Sequence, residues 1–248
     1  MAMEGIDPRI ADLVRSQEIR LALFLPQYAK DAQSGELRGL GIGFVAIEFA
    51  RALAAPLGIA VRVVEHPTPP LALRSLKNGA CDLAMIGIEP SRTAEFDFTP
   101  PIVQFDYTVL VPGGSTLRTC AEIDRPALKI VVVRNHASTL ALSRLVKRAE
   151  LVGTELPDTA FDMLRSGNAD AFAAPREVLL DYCAQMPGAR VLDDRYGVNN
   201  VGVAIAPGQP GRLAYLSAFA EQAKASGLIG QIIERGGLRG FRVAPRAS

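Results

Sequence analysis

The chain has 248 residues, 49% of them hydrophobic, and its 27 basic and 26 acidic side chains leave a net charge of +1. This length permits one large domain or two lobes, each with its own core. The balanced charge provides no basic surface for nucleic acid, and no apolar run approaches the roughly 18 residues of a membrane span. The three cysteines, Cys81, Cys120 and Cys183, fit neither a disulfide framework nor a zinc site, and we expect small buried hydrophobic residues.

The start of the chain, residues 1–18, carries acidic side chains and lacks the apolar segment of a secretory signal. Either a leader has been removed or the protein stays in the cytoplasm, and the sequence leaves both open. Asp7 before Pro8 predicts a short helix over residues 8–15, because Asp caps helices and Pro suits the first helical position.

The first half of the chain alternates strands and helices. The glycines of GLGIGF, at residues 39–44, resemble a dinucleotide fingerprint only loosely, because their spacing is wrong. The hydrophobic pattern predicts a strand over 19–25, a polar hairpin over 30–38, a helix over 44–55, a strand over 59–64, a helix over 69–76 and a buried strand over 83–86. This order is typical of a parallel sheet covered by helices.

The alternation restarts in the second half. Asp158 is predicted to cap a helix that reaches residue 164. Strands are predicted over 107–111, 128–133, 150–152, 169–173, 191–192 and 201–206, and further helices over 138–149, 176–185, 213–225 and 228–235. A second α/β unit is therefore expected.

An internal repeat decides the predicted architecture. The segment LKNGACD at residues 76–82 returns as LRSGNAD at 164–170, and in both copies a helix stops at Gly before a strand begins after Asp. Two such units predict two lobes: residues 1–107 with 204–248 form lobe 1, and residues 108–203 form lobe 2. The chain passes between them twice, which makes a hinge, and a ligand is expected in the cleft between the lobes.

Arg92 is the first candidate binding residue. It follows the buried strand 83–86, beyond Gly87 and Pro90, and we expect it on a loop past the strand's carboxyl end. Open α/β sheets bind ligands at that edge, and a fixed guanidinium there suits a carboxylate or phosphate. The alternative is an ordinary surface arginine.

A helix start in the second lobe is the other candidate. Asn135 can make the turn after the strand 128–133, and the following helix start presents free N–H groups to an anion. With Arg92, this helix start would bind one carboxylate. The alternative for Ser138 and Thr139 is simple capping, and His136 is expected to be a polar surface or cleft residue rather than a catalyst.

The order of these blocks resembles the bacterial solute-binding proteins of family 3, the amino-acid-type receptors of ABC importers. The resemblance covers about residues 19–241 and is carried by these segments: GFVAIEFARALAAPLGI, SLKNGACDLAM, SRTAEFDFTPPI, VVVRNHASTLAL and LRSGNADAFA. It implies an α/β, two-lobed type II periplasmic-binding fold, in which two mostly parallel sheets flanked by helices are joined by two crossover strands. It also implies a periplasmic monomer without cofactor, which closes over a small carboxylate-bearing solute and delivers it to ABC permease subunits.

The resemblance also implies which residues touch the solute. An arginine six residues before an FS or FT pair holds the ligand carboxylate in that family, and here it is Arg92 before Phe98-Thr99. The family's aromatic wall near the end of the first strand matches Phe24 or Tyr28. The family's Gly-Ser/Thr turn at the second helix start matches Asn135, His136 and Ala137.

This chain departs from the family at the residues that hold an α-amino group. Gly87, Ile88 and Glu89 replace hydroxyl side chains, and Pro175 stands where the family's amine-binding aspartate would be. We therefore expect a small organic carboxylate that need not be an α-amino acid.

Two further functions stay open. Some relatives of this fold resemble cyclohexadienyl dehydratases, which need a general acid; Pro175 removes the obvious position and leaves Glu89, Glu177 or His136. A cytoplasmic or sensor-linked binding module is the other. We predict a binding protein without catalysis.

Overall fold

The computed structural model describes residues 7–134 and 136–246. Its strands are β1 (Glu18–Phe24), β2 (Tyr28–Lys30), β3 (Leu37–Gly39), β4 (Ala60–His66), β5 (Leu83–Gly87), β6 (Asp97–Phe98), β7 (Val103–Val111), β8 (Lys129–Val133), β9 (Glu150–Thr154), β10 (Ala171–Pro175), β11 (Arg190–Val191), β12 (Gly197–Ile205) and β13 (Phe241–Val243). Its helices are α1 (Ala11–Ser16), α2 (Ile42–Ala54), α3 (Pro69–Lys77), α4 (Pro90–Thr93), α5 (Ala137–Leu145), α6 (Pro157–Arg165), α7 (Arg176–Cys183), α8 (Pro210–Ala225) and α9 (Leu228–Arg235). Across these residues, no helix combines the length and apolarity that crossing a membrane requires.

The chain divides into two compact units. Unit 1 comprises Met1–Gln104, Asn200–Leu238 and Arg242–Ser248, and unit 2 comprises Phe105–Asn199 and Arg239–Phe241. Strands β7 and β12 carry the chain from one unit into the other. The lobe bounds expected from the sequence, 107/108 and 203/204, stay a prediction.

Unit 1 is built on three adjacent parallel strands in the order β4-β1-β5. Strand β5 is buried along its whole length because helices cover both of its faces, and β12 pairs antiparallel on its other side. Helix α3 packs its apolar face on this sheet through Ala72 and Leu76, both with 0% exposure. The carboxyl ends of the three parallel strands therefore meet at one edge of the unit.

Unit 2 repeats this plan with the order β9-β8-β10, again parallel, and β7 pairs antiparallel with β10. Helix α6 covers the sheet through Ala160 and Leu164, which occupy the same positions in the repeat as Ala72 and Leu76 of unit 1. The α/β class and the parallel sheets predicted from the strand-helix alternation are confirmed.

The sequence repeat is also a repeat of hydrogen bonds. In unit 1, Asp82 donates its N–H to the Arg20 carbonyl at 2.8 Å and its carboxylate accepts the Arg20 N–H at 2.8 Å. In unit 2, Asp170 makes the same two bonds with Lys129, at 2.9 and 2.8 Å. Each aspartate thus brackets one residue of the neighbouring strand and sets the register of the two strands.

The turns before these aspartates also match. Gly79 and Gly167 end helices α3 and α6 at φ +72° and +76°, a conformation that a side chain with a Cβ rarely adopts. The next two N–H groups in each copy return to a carbonyl inside the helix, that of Ser75 or of Met163. The helix-stop interpretation of the repeat is correct in both units.

The two aspartates differ in their surroundings. The Asp82 side chain is 5% exposed and takes a bidentate bond from the Arg20 guanidinium, with Nε at 2.9 Å and Nη2 at 2.7 Å. Arg212, whose side chain is 9% exposed, lies 3.8 Å away through Nη1 and also pairs with Asp12. Asp170 is exposed.

The GLGIGF segment has a packing role. Helix α2 starts inside this segment, and a Cβ on Gly43 would overlap the carbonyl of Gln27. The glycine permits this close approach of the two backbone segments. Packing therefore accounts for a glycine at this position, and no bound nucleotide is needed to explain it.

Three local expectations are wrong. Leu156, rather than Asp158, occupies the cap position of α6, because the helix starts at Pro157, two residues earlier than a cap at Asp158 would place it. Helix α5 ends at Leu145 instead of 149, since Asp124 accepts the N–H groups of residues 147, 148 and 149 and stops the helix. Cys183 is only half-buried, whereas Cys81 and Cys120 are buried as expected.

We expect Asp82→Ala to lower the free energy of unfolding by about 3 kcal/mol, because it leaves two guanidinium groups without their buried counter-charge. The matched change Asp170→Ala removes an exposed bracket and should cost about 1 kcal/mol. Urea unfolding of both variants measures this difference. Equal losses of unfolding free energy would mean that the ion pairs of Asp82 with Arg20 and Arg212 add no stability beyond the backbone hydrogen bonds that both aspartates make.

Candidate functional site

Arg92 lies just past the carboxyl end of β5 in unit 1, where its guanidinium is held by the protein. It is half-buried, and Nη1 donates to the carbonyl of Gly87, the last residue of β5, at 2.8 Å. A guanidinium has five N–H donors, and this bond holds one of them against the end of β5. The side chain is therefore oriented at the edge where α/β sheets bind ligands.

The backbone around Arg92 corrects one expectation. Arg92 belongs to the short helix α4 and not to a loop, and the Glu89 carbonyl accepts the N–H groups of Arg92 and Thr93 at 2.9 and 3.0 Å. Pro90 ends the strand as expected, but its fixed φ also suits the first position of a helix. A helical turn holds Arg92 more firmly than a loop would.

Gly87 and Ile88 are occupied by contacts within unit 1. Gly87 is buried opposite Val201, the Ile88 N–H donates to the Asn200 carbonyl at 2.7 Å, and the Ile88 side chain packs towards Gly202. Glu89 is half-buried at the start of α4, three residues before Arg92. These three predicted site residues lie next to Arg92 in the chain, and the carbonyls of Gly87 and Glu89 accept hydrogen bonds from it.

The two aromatic candidates differ in accessibility. Phe24 is 8% exposed and packs in the core with Ala72 and Ile86, which leaves little surface for a ligand. Tyr28 is half-buried in β2, opposite Gly39. Tyr28 is thus the more accessible of the pair.

Gln27 is a structural residue of this edge that the sequence did not reveal. Its side chain is buried, Nε2 donates to the Met85 carbonyl at 2.9 Å, and Oε1 accepts the Phe24 N–H at 3.4 Å. These bonds tie the loop after β1 to β5. A glutamine between Pro26 and Tyr28 carries no motif, so no sequence signal could have identified it.

In unit 2, His136 caps helix α5. Its Nδ1 accepts the Ser138 N–H at 3.2 Å and lies 2.7 Å from the Ser138 hydroxyl, while Thr139 donates to the Val133 carbonyl. His136 as a whole residue is exposed. Desolvation of its ring by the surrounding protein nevertheless lowers the pKa of His136, and a neutral ring can accept this bond. One of the N–H groups expected to meet an anion is therefore already bonded, at a cap supplied by His136 itself.

The other predicted residues of this helix start are Ala137 and Asn135. Ala137 is the first residue of α5 and is half-buried. Asn135 lies outside the described residues.

Aromatic rings missed by the sequence analysis connect His136 to Pro175. The ring of Tyr107 lies 6.5 Å from the His136 ring in an edge-on arrangement and 6.1 Å from the Tyr196 ring. Tyr107 is also the residue opposite Pro175 in the pairing of β7 with β10. Aromatic residues that lie far apart in a sequence are normally interpreted as core residues. Only the tertiary structure shows that Tyr107, Tyr196 and His136 lie together.

Pro175 and Gly87 occupy equivalent positions, because each lies five residues after the bracketing aspartate of its unit and ends its strand. Pro175 is buried and has no N–H, and helix α7 begins directly after it. Arg176 anchors this helix start through bonds to the carbonyls of residues 192, 193 and 194 at 2.9 to 3.0 Å.

Glu177, in the first turn of α7, has the most perturbed carboxyl group near these residues. Burial raises its pKa to about 7, and Oε2 is buried with no hydrogen-bond partner among the residues that the structure describes. A carboxyl group of this kind is partly protonated at neutral pH and can donate a hydrogen bond or a proton.

The family model of bacterial extracellular solute-binding proteins, family 3, matches residues 26–236. The ABC transporter glutamine-binding protein GlnH of Bacillus subtilis is 22% identical over 209 residues, which cover 83% of this chain and 75% of that protein. The glutamine-binding protein of Geobacillus stearothermophilus is 23% identical over 182 residues, covering 71% of this chain and 67% of that protein.

Two solved structures share the fold. The ancestral amino acid-binding protein AncCDT-1, a precursor of cyclohexadienyl dehydratase, is 25% identical with a TM-score of 0.68, and the match covers 91% of this chain and 97% of that one. A binding component of an ABC transporter from Wolinella succinogenes, complexed with lysine, is 25% identical with a TM-score of 0.71, covering 88% and 95%. The predicted type II periplasmic-binding fold and solute-binding function are confirmed, and this chain belongs to the bacterial extracellular solute-binding proteins of family 3.

Proposed function

We propose that this chain is the substrate-binding component of an ABC importer, and that Arg92 binds the carboxylate of its solute. The observation that carries the proposal is the bond from Arg92 to the Gly87 carbonyl, which orients a guanidinium at the carboxyl end of β5. Relatives named for binding glutamine support a small organic solute. The partners we propose are permease subunits, with the chain acting as a monomer in the periplasm.

The strength of such a site is set by charge-assisted hydrogen bonds. Each contributes roughly 1.5–3 kcal/mol, and micromolar binding needs about 8 kcal/mol before ordering costs. Arg92 can supply two parallel bonds to one carboxylate, because the guanidinium matches its geometry. The remaining affinity must come from other contacts, for which Tyr28, His136, Ala137 and Pro175 stay predicted residues.

An α-amino group on the solute has no obvious counter-charge at Pro175. Glu177, two residues later, is the nearest carboxyl group along the chain, and its raised pKa makes it a poorer partner for an ammonium group than an ionised aspartate. Glu89 is the corresponding group in unit 1. We therefore propose a small carboxylate that need not be an α-amino acid.

We propose that the chain is not an enzyme, and one observation favours testing a second function. Glu177 combines a raised pKa with a buried oxygen that has no hydrogen-bond partner in the described part of the chain, and a general acid in a dehydratase needs a carboxyl group of this kind. The similarity to a precursor of cyclohexadienyl dehydratase gives this alternative a definite substrate to test. When the chain is incubated with prephenate, we expect the prephenate to stay unchanged. If the aromatic product forms, and if Glu177→Gln abolishes its formation, the chain is a lyase instead.

We expect Arg92→Ala to weaken carboxylate binding at least 100-fold, because the ionic bonds to the solute are lost. Arg92→Lys should retain part of the affinity, since the charge stays but the paired geometry is gone. Titration calorimetry against a panel of small carboxylates measures both, and the exposed Arg74→Ala is the matched control. The free energy of unfolding of Arg92→Ala should stay within about 1 kcal/mol of the parent. Unchanged binding in that folded variant would refute the proposal.

We expect Glu177→Gln to stabilise the protein at high pH. The pKa of Glu177 is raised in the fold, so its ionisation opposes folding, and the parent should lose stability as the pH rises from about 4.5 through about 7. The variant lacks this loss and should gain up to about 3 kcal/mol near pH 8 and little near pH 4. Urea unfolding at both pH values tests this, with the exposed Glu150→Gln as control. An equal gain in unfolding free energy at both pH values would show that ionisation of Glu177 does not destabilise the fold, and would contradict this prediction.

A further inference from the structure

We propose that the solute is an apolar monocarboxylate, whose hydrocarbon chain or ring lies across the carboxyl ends of β5, β1 and β4 in unit 1. This inference rests on the proposed function, because it takes Arg92 as the group that binds the carboxylate. It adds the chemical class of the rest of the solute.

Exposed leucines mark this edge. Leu25 follows β1 directly and is 50% exposed, and Leu71 lies in the first turn of α3, which follows β4, and is 37% exposed. Within the described residues, the large hydrophobic side chains that stand exposed are these six: Leu25, Leu40, Leu71, Leu140, Leu145 and Leu156. Single exposed leucines are ordinary, but a concentration at strand ends coincides with the edge where ligands bind.

Unit 2 shows the same bias. Leu140, 53% exposed, lies in the first turn of α5 after β8, and Leu156, 61% exposed, lies between β9 and α6. Four of the six exposed leucines thus follow the carboxyl ends of parallel strands. This placement repeats in both units and argues against chance exposure.

Several polar groups of the unit 1 edge are bonded within the unit. The Leu25 N–H donates to the His66 carbonyl at 3.3 Å, and the Gln27 N–H donates to the Phe24 carbonyl at 2.7 Å. The side chain of Gln27 and the N–H of Ile88 are bonded within the unit, as described above. Glu65, next to the end of β4, pairs with Lys30 at 2.9 Å. A polar solute body would find no unoccupied partner among these groups, and burying its own polar groups against them would cost affinity.

The spacing of the strands sets the size of the apolar body. Neighbouring strands lie about 4.8 Å apart, so the ends of β5 and β4 are separated by roughly 10 Å with Leu25 between them. A carboxylate bound at Arg92 could then extend a chain or ring past Leu25 towards Leu71. Glu89, at the N-cap of α4 and three residues before Arg92, disfavours a second carboxylate because the two negative charges would repel each other.

Titration calorimetry of the full chain with four probes tests this class. Octanoate and 3-phenylpropionate carry an apolar body of suitable length, while glutamine and succinate carry polar bodies. We expect the two apolar acids to bind at least tenfold more tightly than the polar ones.

Variants connect this preference to the leucines. Leu25→Asn and Leu71→Asn should each weaken the binding of 3-phenylpropionate about tenfold and leave the binding of succinate unchanged. Leu145→Asn is the matched control, because Leu145 is 55% exposed but ends α5 in unit 2. Circular dichroism melts confirm that each variant is folded.

The outcomes separate the two proposals. Arg92-dependent binding of glutamine or succinate that is tighter than that of the apolar acids would overturn the apolar class and leave the proposed function standing. Binding of apolar acids that is unaffected by Leu25→Asn and Leu71→Asn would also overturn it. Apolar binding that survives Arg92→Ala would overturn both.

Discussion

The bracket made by Asp82 is the constraint on which the position of the candidate site depends. Its backbone N–H and its carboxylate both bond to Arg20, so β5 can pair with β1 in only one register. Strand β5 then ends at Gly87, and the Gly87 carbonyl orients Arg92. A slip of one residue would turn every side chain of β5 to the opposite face and would move that carbonyl away. The buried pairing of Asp82 with Arg20 thus acts on the site from the far end of the strand.

The second copy of the bracket shows how two similar units can carry different chemistry. Five residues after the aspartate, unit 1 has a glycine whose carbonyl binds Arg92, and unit 2 has a proline. The helix that follows is one short turn in unit 1 and an eight-residue helix in unit 2. The shared hydrogen bonds hold the sheet in the same arrangement in both units. The residues after the strand ends differ, and such connecting segments commonly carry function.

The electrostatics of the two units also differ. In unit 1 the strand ends carry a guanidinium, and the nearby amides are satisfied by the protein. In unit 2 they carry a neutral histidine cap, a proline and a carboxyl group whose pKa burial has raised to about 7. The two repeated strand ends therefore carry opposite kinds of group, a guanidinium in unit 1 and a partly protonated carboxyl group in unit 2.

The sequence by itself determined the strand and helix order, the repeat with its glycine stops and aspartates, and the family, because periodicity and turn chemistry are local properties. It also identified Arg92, since a charged residue after a buried strand is visible in the chain. Only the tertiary structure placed Arg92 in a helical turn, showed His136 as the cap of α5, buried Phe24, and brought Tyr107 opposite Pro175. Hydrogen-bond partners and burial are set by residues far apart in the chain, and no local pattern records them.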